Sequence, residues 1–236
     1  MQSPKKVVIV TGASQGIGAG VVESYRKLGY GVVATSRSIK PSEDPNVITV
    51  AGDISDPSTA ARVVAAAIEN FGRIDTLVNN AGIFASKPFT EFTEEDYTSA
   101  IGTNVSGVFY ISQAVIPHML AQGAGHIVSM STSLVNQPDT RVPAALASIT
   151  KGGLNSLTKG LAIEYADRGI RVNAVALGLI KTPMNPVEYH ETLSGLHPLG
   201  RMGEVQDVVN AVHYLDSAEF ITGNILHLDG GQNAGK

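Results

Sequence analysis

A chain of 236 residues, 43% of them hydrophobic, is long enough for one domain with a substantial core. Its formal net charge of −4 supplies no basic field for a polyphosphate backbone and argues against nucleic acid as a partner. Cysteine is absent, which excludes disulfides, thiolate metal sites and cysteine nucleophiles.

At the N-terminus, Met1-Gln2-Ser3-Pro4-Lys5-Lys6 runs into an apolar strand at 7–10. The apolar run is short and breaks at Thr11-Gly12, so no export signal is read, and no stretch reaches the length of a membrane-spanning helix. A soluble cytoplasmic protein is the expectation. Further strands are predicted at 31–35, 47–50, 76–79, 126–130, 171–175 and 225–228, and 38–45 reads as a polar surface loop. The segments 57–71, 105–120, 152–165 and 204–215 have helical period and length. Asp56 before Pro57 is a helix start, an N-cap type followed by proline at the first helical position. The strand runs are continuously apolar, as parallel strands covered on both faces require. Together these predict an α/β fold over 1–236. It is a single-domain, Rossmann-like, doubly wound parallel sheet of about seven strands with helices on both faces.

Thr11-Gly12-Ala13-Ser14-Gln15-Gly16-Ile17-Gly18 lies between the first strand and the first helix. Glycines there permit a tight turn, close approach of a pyrophosphate and close packing of helix on sheet. The helix N-terminus offers N–H groups and a positive dipole end to phosphate. Gly52-Asp53-Ile54 and Asn79-Asn80-Ala81-Gly82 follow the third and fourth strands, at the carboxyl ends where open α/β sheets bind ligands. A plainer reading makes Asp53 and Asn79-Asn80 local turns. The order and spacing of all three segments favour a dinucleotide site.

On these motifs the chain resembles the classical short-chain dehydrogenase/reductase family, and the resemblance covers essentially its whole length. The Gly12-x-x-x-Gly16-x-Gly18 spacing is that family's. Asn104, Ser131-Thr132-Ser133, Lys151, Gly178 with Ile180 and Thr182, Gly200-Arg201-Met202-Gly203, Thr222-Gly223 and Asp229-Gly230-Gly231 follow in its order. The resemblance implies a nicotinamide cofactor held by Gly12, Ser14, Gln15, Gly16, Ile17, Gly18, Asp53, Ile54, Asn80, Ala81, Gly82, Lys151, Gly178, Ile180 and Thr182. The second strand ends in Ser36-Arg37, where an acidic residue would hold the ribose hydroxyls of NAD(H). Arg37 either stands as a solvated surface charge or pairs with a 2′-phosphate through its planar fork; the second reading favours NADP(H) over NAD(H), although Gln15 supplies no second cation.

In the family a tyrosine exchanges the substrate proton and a lysine one turn later keeps that phenol acidic. A serine bonds the carbonyl, and an asparagine holds a water linking the lysine to solvent. Hydride delivery builds negative charge on oxygen, which a proton donor and fixed dipoles relieve. Lys151 and Asn104 match. The serine position falls on Thr132 with Ser133 next, and either hydroxyl fits. The tyrosine position is Ala147, whose methyl donates nothing, and the family's Pro-Gly after the sixth strand is Leu177-Gly178. Lys159 offers no alternative register, because Asn155 stands four residues before it.

Three readings follow. The chain is an active oxidoreductase with a substitute donor, such as a water on Lys151, Thr132 or Ser148, or a group from the loop carrying Tyr189 and His190. It is a catalytically silent nucleotide-binding protein, a sensor or partner subunit. Or Ala147 is an engineered tyrosine knockout. The remaining histidines show no metal-ligand spacing, and no metal is expected. The expected substrate is a small-molecule carbonyl or alcohol, with no membrane partner. Family members pair the helices after Asn104 and Lys151, implying a homodimer or homotetramer, and Gly152, Gly153 and Gly160 permit close packing there.

Overall fold

Each apolar run becomes a strand of one parallel sheet: β1 (Val7–Thr11), β2 (Gly31–Ser36), β3 (Val47–Ala51), β4 (Thr76–Asn79), β5 (Gly125–Thr132), β6 (Ile170–Leu177) and β7 (Ile225–Leu228). The computed structural model describes residues 5–235, so the first four residues of the segment weighed as an export signal lie outside it. The strand order is β3-β2-β1-β4-β5-β6-β7. Connections run outward in both directions from β1 and β4, and the crevice between their carboxyl ends is the topological switch point.

Side chains alternate across each strand and divide the core in two. Val7 and Ile9 face a cluster with α2 (Pro57–Phe71), α4 (Gly107–Gln122) and α5 (Ala145–Tyr165). Val8 and Val10 face one with α1 (Gly16–Lys27) and α7 (Val205–Ser217). β1 is buried throughout, whereas the edge strand β7 is half-buried at every residue. The predicted helix start is present: the Asp56 carboxylate accepts from Ser58 N at 2.8 Å, with Pro57 in the first turn.

Several boundaries differ from expectation. α5 begins at Ala145, not at 152, because Ala144-Ala145-Leu146 forms a first turn without any side-chain cap to announce it. The helix read over 105–120 is preceded by α3 (Glu94–Ile101), started by the Thr93/Asp96 capping box, and by a π-turn at Gly102–Ser106. The loop holding Tyr189 contains a short helix, α6 (His190–Ser194). β5 and β6 run on to Thr132 and Leu177, which pair with each other.

Away from the crevice, a polar network pins the amino ends of β4, β5 and β6 to α7. Asp216 accepts from Thr76 Oγ1 at 2.8 Å and from His126 Nδ1 at 2.9 Å. Asn173 Oδ1 accepts from Asn224 N, which turns its amide nitrogen toward His126 Nε2 at 3.1 Å. That nitrogen must therefore carry a lone pair, and the buried ring is neutral. Burial pushes the His126 pKa below its ordinary value of 6.5, against the opposing pull of Asp216. The unfolded chain thus binds the extra proton first, and stability is lost as pH falls below about 6.5. The slope for one such proton is about 1.4 kcal/mol per pH unit. Thermal melting between pH 7.5 and 5 should show this loss, and His126→Gln should flatten it. Equal slopes would contradict the assignment.

Candidate functional site

Close backbone approach shapes the switch point. Gly12 has φ +65°, and a Cβ there would lie 2.8 Å from Ala81 Cα. A Cβ on Gly18 would lie 2.2 Å from Gly12 O, so this glycine is needed for packing beneath the turn. Asn80 fastens the two strand ends together: its Nδ2 donates to Thr11 O at 2.9 Å and Gly12 O at 3.1 Å. Thr11 Oγ1 in turn accepts from Asn80 N and Ala81 N. These bonds do more than close a local turn. Asp53, by contrast, does make one: its carboxylate accepts from Ser55 N and Oγ, which hold its pKa below the usual carboxylate value.

The result is a cleft of about 390 Å³ running across the carboxyl ends of the strands. Ser14, Gln15, Gly16 and Ile17 form one rim, with Ser36, Arg37, Asp53 and Ile54 beside them. Asn80, Ala81 and Gly82 form the floor, and Gly178, Ile180 and Thr182 complete the lining. Thr182 faces Gly16, where an added Cβ would lie 3.3 Å from its side chain. Gln15, the N-cap of α1, makes no side-chain cap bond. The first-turn N–H groups therefore stay available to an anion. Among the described residues Ser36 Oγ is buried without a hydrogen-bond partner, at the rim that carries Arg37.

Thr132, Ser133, Ala147 and Lys151 line the far end. Lys151 Nζ donates to Met130 O at 2.8 Å. A Cβ on Gly82 would lie 3.0 Å from Nζ, so the bare glycine makes room for the ammonium. Desolvation alone brings the Lys151 pKa down to about 8. Lys159, the rejected alternative, is exposed to solvent.

The two hydroxyls separate. Ser133 is fully buried and donates to Gln232 Oε1 at 2.8 Å. Thr132 is half-buried, with contacts of only 3.3–3.4 Å to Leu134 N and Leu177 O, and is the freer of the two. Ala147 is buried on α5 one turn before Lys151. The Ser148 hydroxyl turns to Leu134 O at 3.4 Å.

Of the residues selected from sequence, Gly18 and Asn104 do not line the cleft. Gly18 lies beneath it. Asn104 uses its amide on Ile83, accepting from Ile83 N at 2.9 Å and donating to Ile83 O at 3.0 Å, so any solvent link cannot use that side chain freely. Tyr189 and His190 are also outside the lining, and His190 Nε2 is taken by Asn185 O at 2.8 Å. Gln232, Met184 and Leu196 line the cleft without having been foreseen. Asp229, which accepts from Gly231 N and Asn233 N, was the available signal for Gln232. Among the described residues no cluster of histidine, aspartate or glutamate could hold a metal, and no helix is long and apolar enough to cross a membrane.

The family model described as enoyl-(acyl carrier protein) reductase matches residues 12–233. A 3-oxoacyl-[acyl-carrier-protein] reductase of Thermotoga maritima is 36% identical, with 98% of this chain and 99% of that protein covered. The solved structure of ElxO with NADP bound superimposes with a TM-score of 0.92 at 32% identity, covering 98% of this chain and 100% of the other. The 3-ketoacyl-(acyl-carrier-protein) reductase of Brucella melitensis, complexed with NADH, does so at 0.90 and 31% identity, covering 98% and 100%. With the sheet order, the glycine turn and the cleft at the switch point, these matches make the chain a member of the short-chain dehydrogenase/reductase family of oxidoreductases.

Proposed function

We propose that the chain is an NADP(H)-dependent oxidoreductase of the 3-oxoacyl-reductase-like type, acting on a small carbonyl or alcohol from a site whose tyrosine position is Ala147. The observation that carries this reading is one continuous cleft joining the uncapped α1 N-terminus to the Lys151 ammonium. The residues fit the cofactor: the α1 N–H groups and the bare Gly12 cradle suit a pyrophosphate, and exposed Arg37 beside Ser36, which carries no carboxylate, suits a 2′-phosphate. When bound, the nicotinamide supplies or accepts the hydride.

The protein's part is to manage the charge that develops on the substrate oxygen. Thr132 Oγ1 donates a hydrogen bond to that oxygen, and the Lys151 ammonium delivers the proton during reduction. Leu134, Val142 and Leu177 keep the surroundings apolar, which strengthens both interactions. Ser36→Asp should reverse the nucleotide preference, because its carboxylate repels a 2′-phosphate and accepts from ribose hydroxyls. Kd values for NADPH and NADH test this, and an unchanged ratio would contradict it.

A second reading, a silent nucleotide-binding protein, rests on the Ala147 methyl, which can donate nothing. Following NADPH absorbance over ketones, acyl thioesters and quinones separates the two. The active reading predicts wild-type turnover that disappears in Lys151→Ala, and a rate that falls as pH rises above about 8, where the ammonium is lost. Loss of the Lys151 ammonium should cost at least about 10²–10⁴ in kcat, the usual worth of a positioned general acid, whereas the phenol of Ala147→Tyr should not be required for turnover. Turnover confined to Ala147→Tyr would establish the silent reading.

The same reading includes a homodimer or homotetramer in the cytoplasm. Phe109, Ile149 and Ile163 are exposed on α4 and α5, and a Cβ on Gly153 or Gly160 would meet nothing within 4 Å. Light scattering reads the assembly state.

A further inference from the structure

Behind the far end of the cleft lies a second cavity of about 180 Å³. Ile83, Phe84 and Ala147 line both spaces, so the Ala147 methyl stands where the two meet. Leu146 extends the apolar wall, while Ser99 and Glu95 of α3 form the solvent side. A cavity of about 150 Å³ accommodates a benzene ring, so by volume this one, whose lining also includes Asn104 and Asp96, has room for a single aromatic ring or a short alkyl arm. Its outer end has a definite charge preference. The Asp96 carboxylate is neutralised by Lys87 Nζ at 2.6 Å, whereas no hydrogen bond or ion pair engages the Glu95 carboxylate among the described residues.

We propose that this cavity is a second arm of the substrate site, opened by the small side chain at Ala147. It takes an aryl or short alkyl substituent of the carbonyl substrate, with a neutral or cationic far end and not an anionic one. The proposal rests on the oxidoreductase reading and adds the substrate class. A larger residue at 147 would close the passage between the two spaces, so the substitution that removes a phenol also widens the site on one side of the reacting carbon. Ala147 thereby acts as a specificity determinant.

The test uses pairs that bind without reacting: alcohols titrated calorimetrically into the NADPH-loaded protein. Diphenylmethanol should bind at least about tenfold more tightly than 1-phenylethanol, as expected for burying one more ring. Ser99→Trp, which fills the cavity from its solvent side without touching the cleft, should abolish that advantage and leave 1-phenylethanol unchanged. An analogue whose second arm ends in trimethylammonium should bind more tightly than its carboxylate counterpart, and Glu95→Gln should remove the difference. No advantage for the second ring, or one that survives Ser99→Trp, would overturn the second arm. Failure of NADPH itself to load would instead overturn the reading of the cleft.

Discussion

The bonds from Asn80 to the backbone of Thr11 and Gly12 are the constraint on which the site depends. They hold the ends of β1 and β4 together at the point where the strand order reverses. Each such bond contributes about 1 kcal/mol net. Their structural effect is larger, because they fix the turn that starts α1 and the floor that continues into Gly82. Gly12 and Gly18 have no side chains in the space these bonds draw closed. From this point α1 projects its uncapped N-terminus along one side of the crevice. Gly82 leaves room for the Lys151 ammonium on the other.

The chemistry at the far end follows from a similar economy of space. Lys151 reaches the carbonyl of Met130 past a glycine, in surroundings dry enough to bring its pKa to about 8. An ammonium with that pKa is a better proton donor near neutrality than an ordinary lysine. Thr132 is placed by the pairing of β5 with β6 at their last residues, while neighbouring Ser133 is drawn away into the C-terminal segment. The proposed mechanism needs no phenol at Ala147, and the proposed second arm makes use of its absence. Of the two, only the proposed second arm depends on the small residue at 147.

Much of this was legible in the sequence because its signals are local. The glycine turn, the Asp56-Pro57 helix start and the apolar strand runs each state their conformation within a few residues. Ala147 and Lys151, four residues apart, lie one turn apart on α5, a relation that spacing alone states once the helix is known. What was not legible depends on distant partners. Ser133 and Gln232 are 99 positions apart, and only the folded chain shows that the first hydroxyl is committed to the second. The start of α5 at Ala145 has no capping residue to mark it. Asn104 was foreseen as important, but the use of its amide on Ile83 depends on a π-turn that no residue pattern announced. The second cavity belongs to packing between α3, α5 and the segment after β4, which periodicity cannot reveal.

The central claim is that the cleft at the switch point is a nicotinamide nucleotide site, and equilibrium titration of NADPH into the wild-type protein tests it most directly. The account predicts saturable binding of one nucleotide per chain, weakened by Gly18→Ala, whose Cβ would collide with Gly12 O. Absence of saturable binding, or an affinity indifferent to Gly18→Ala in a folded variant, would contradict it.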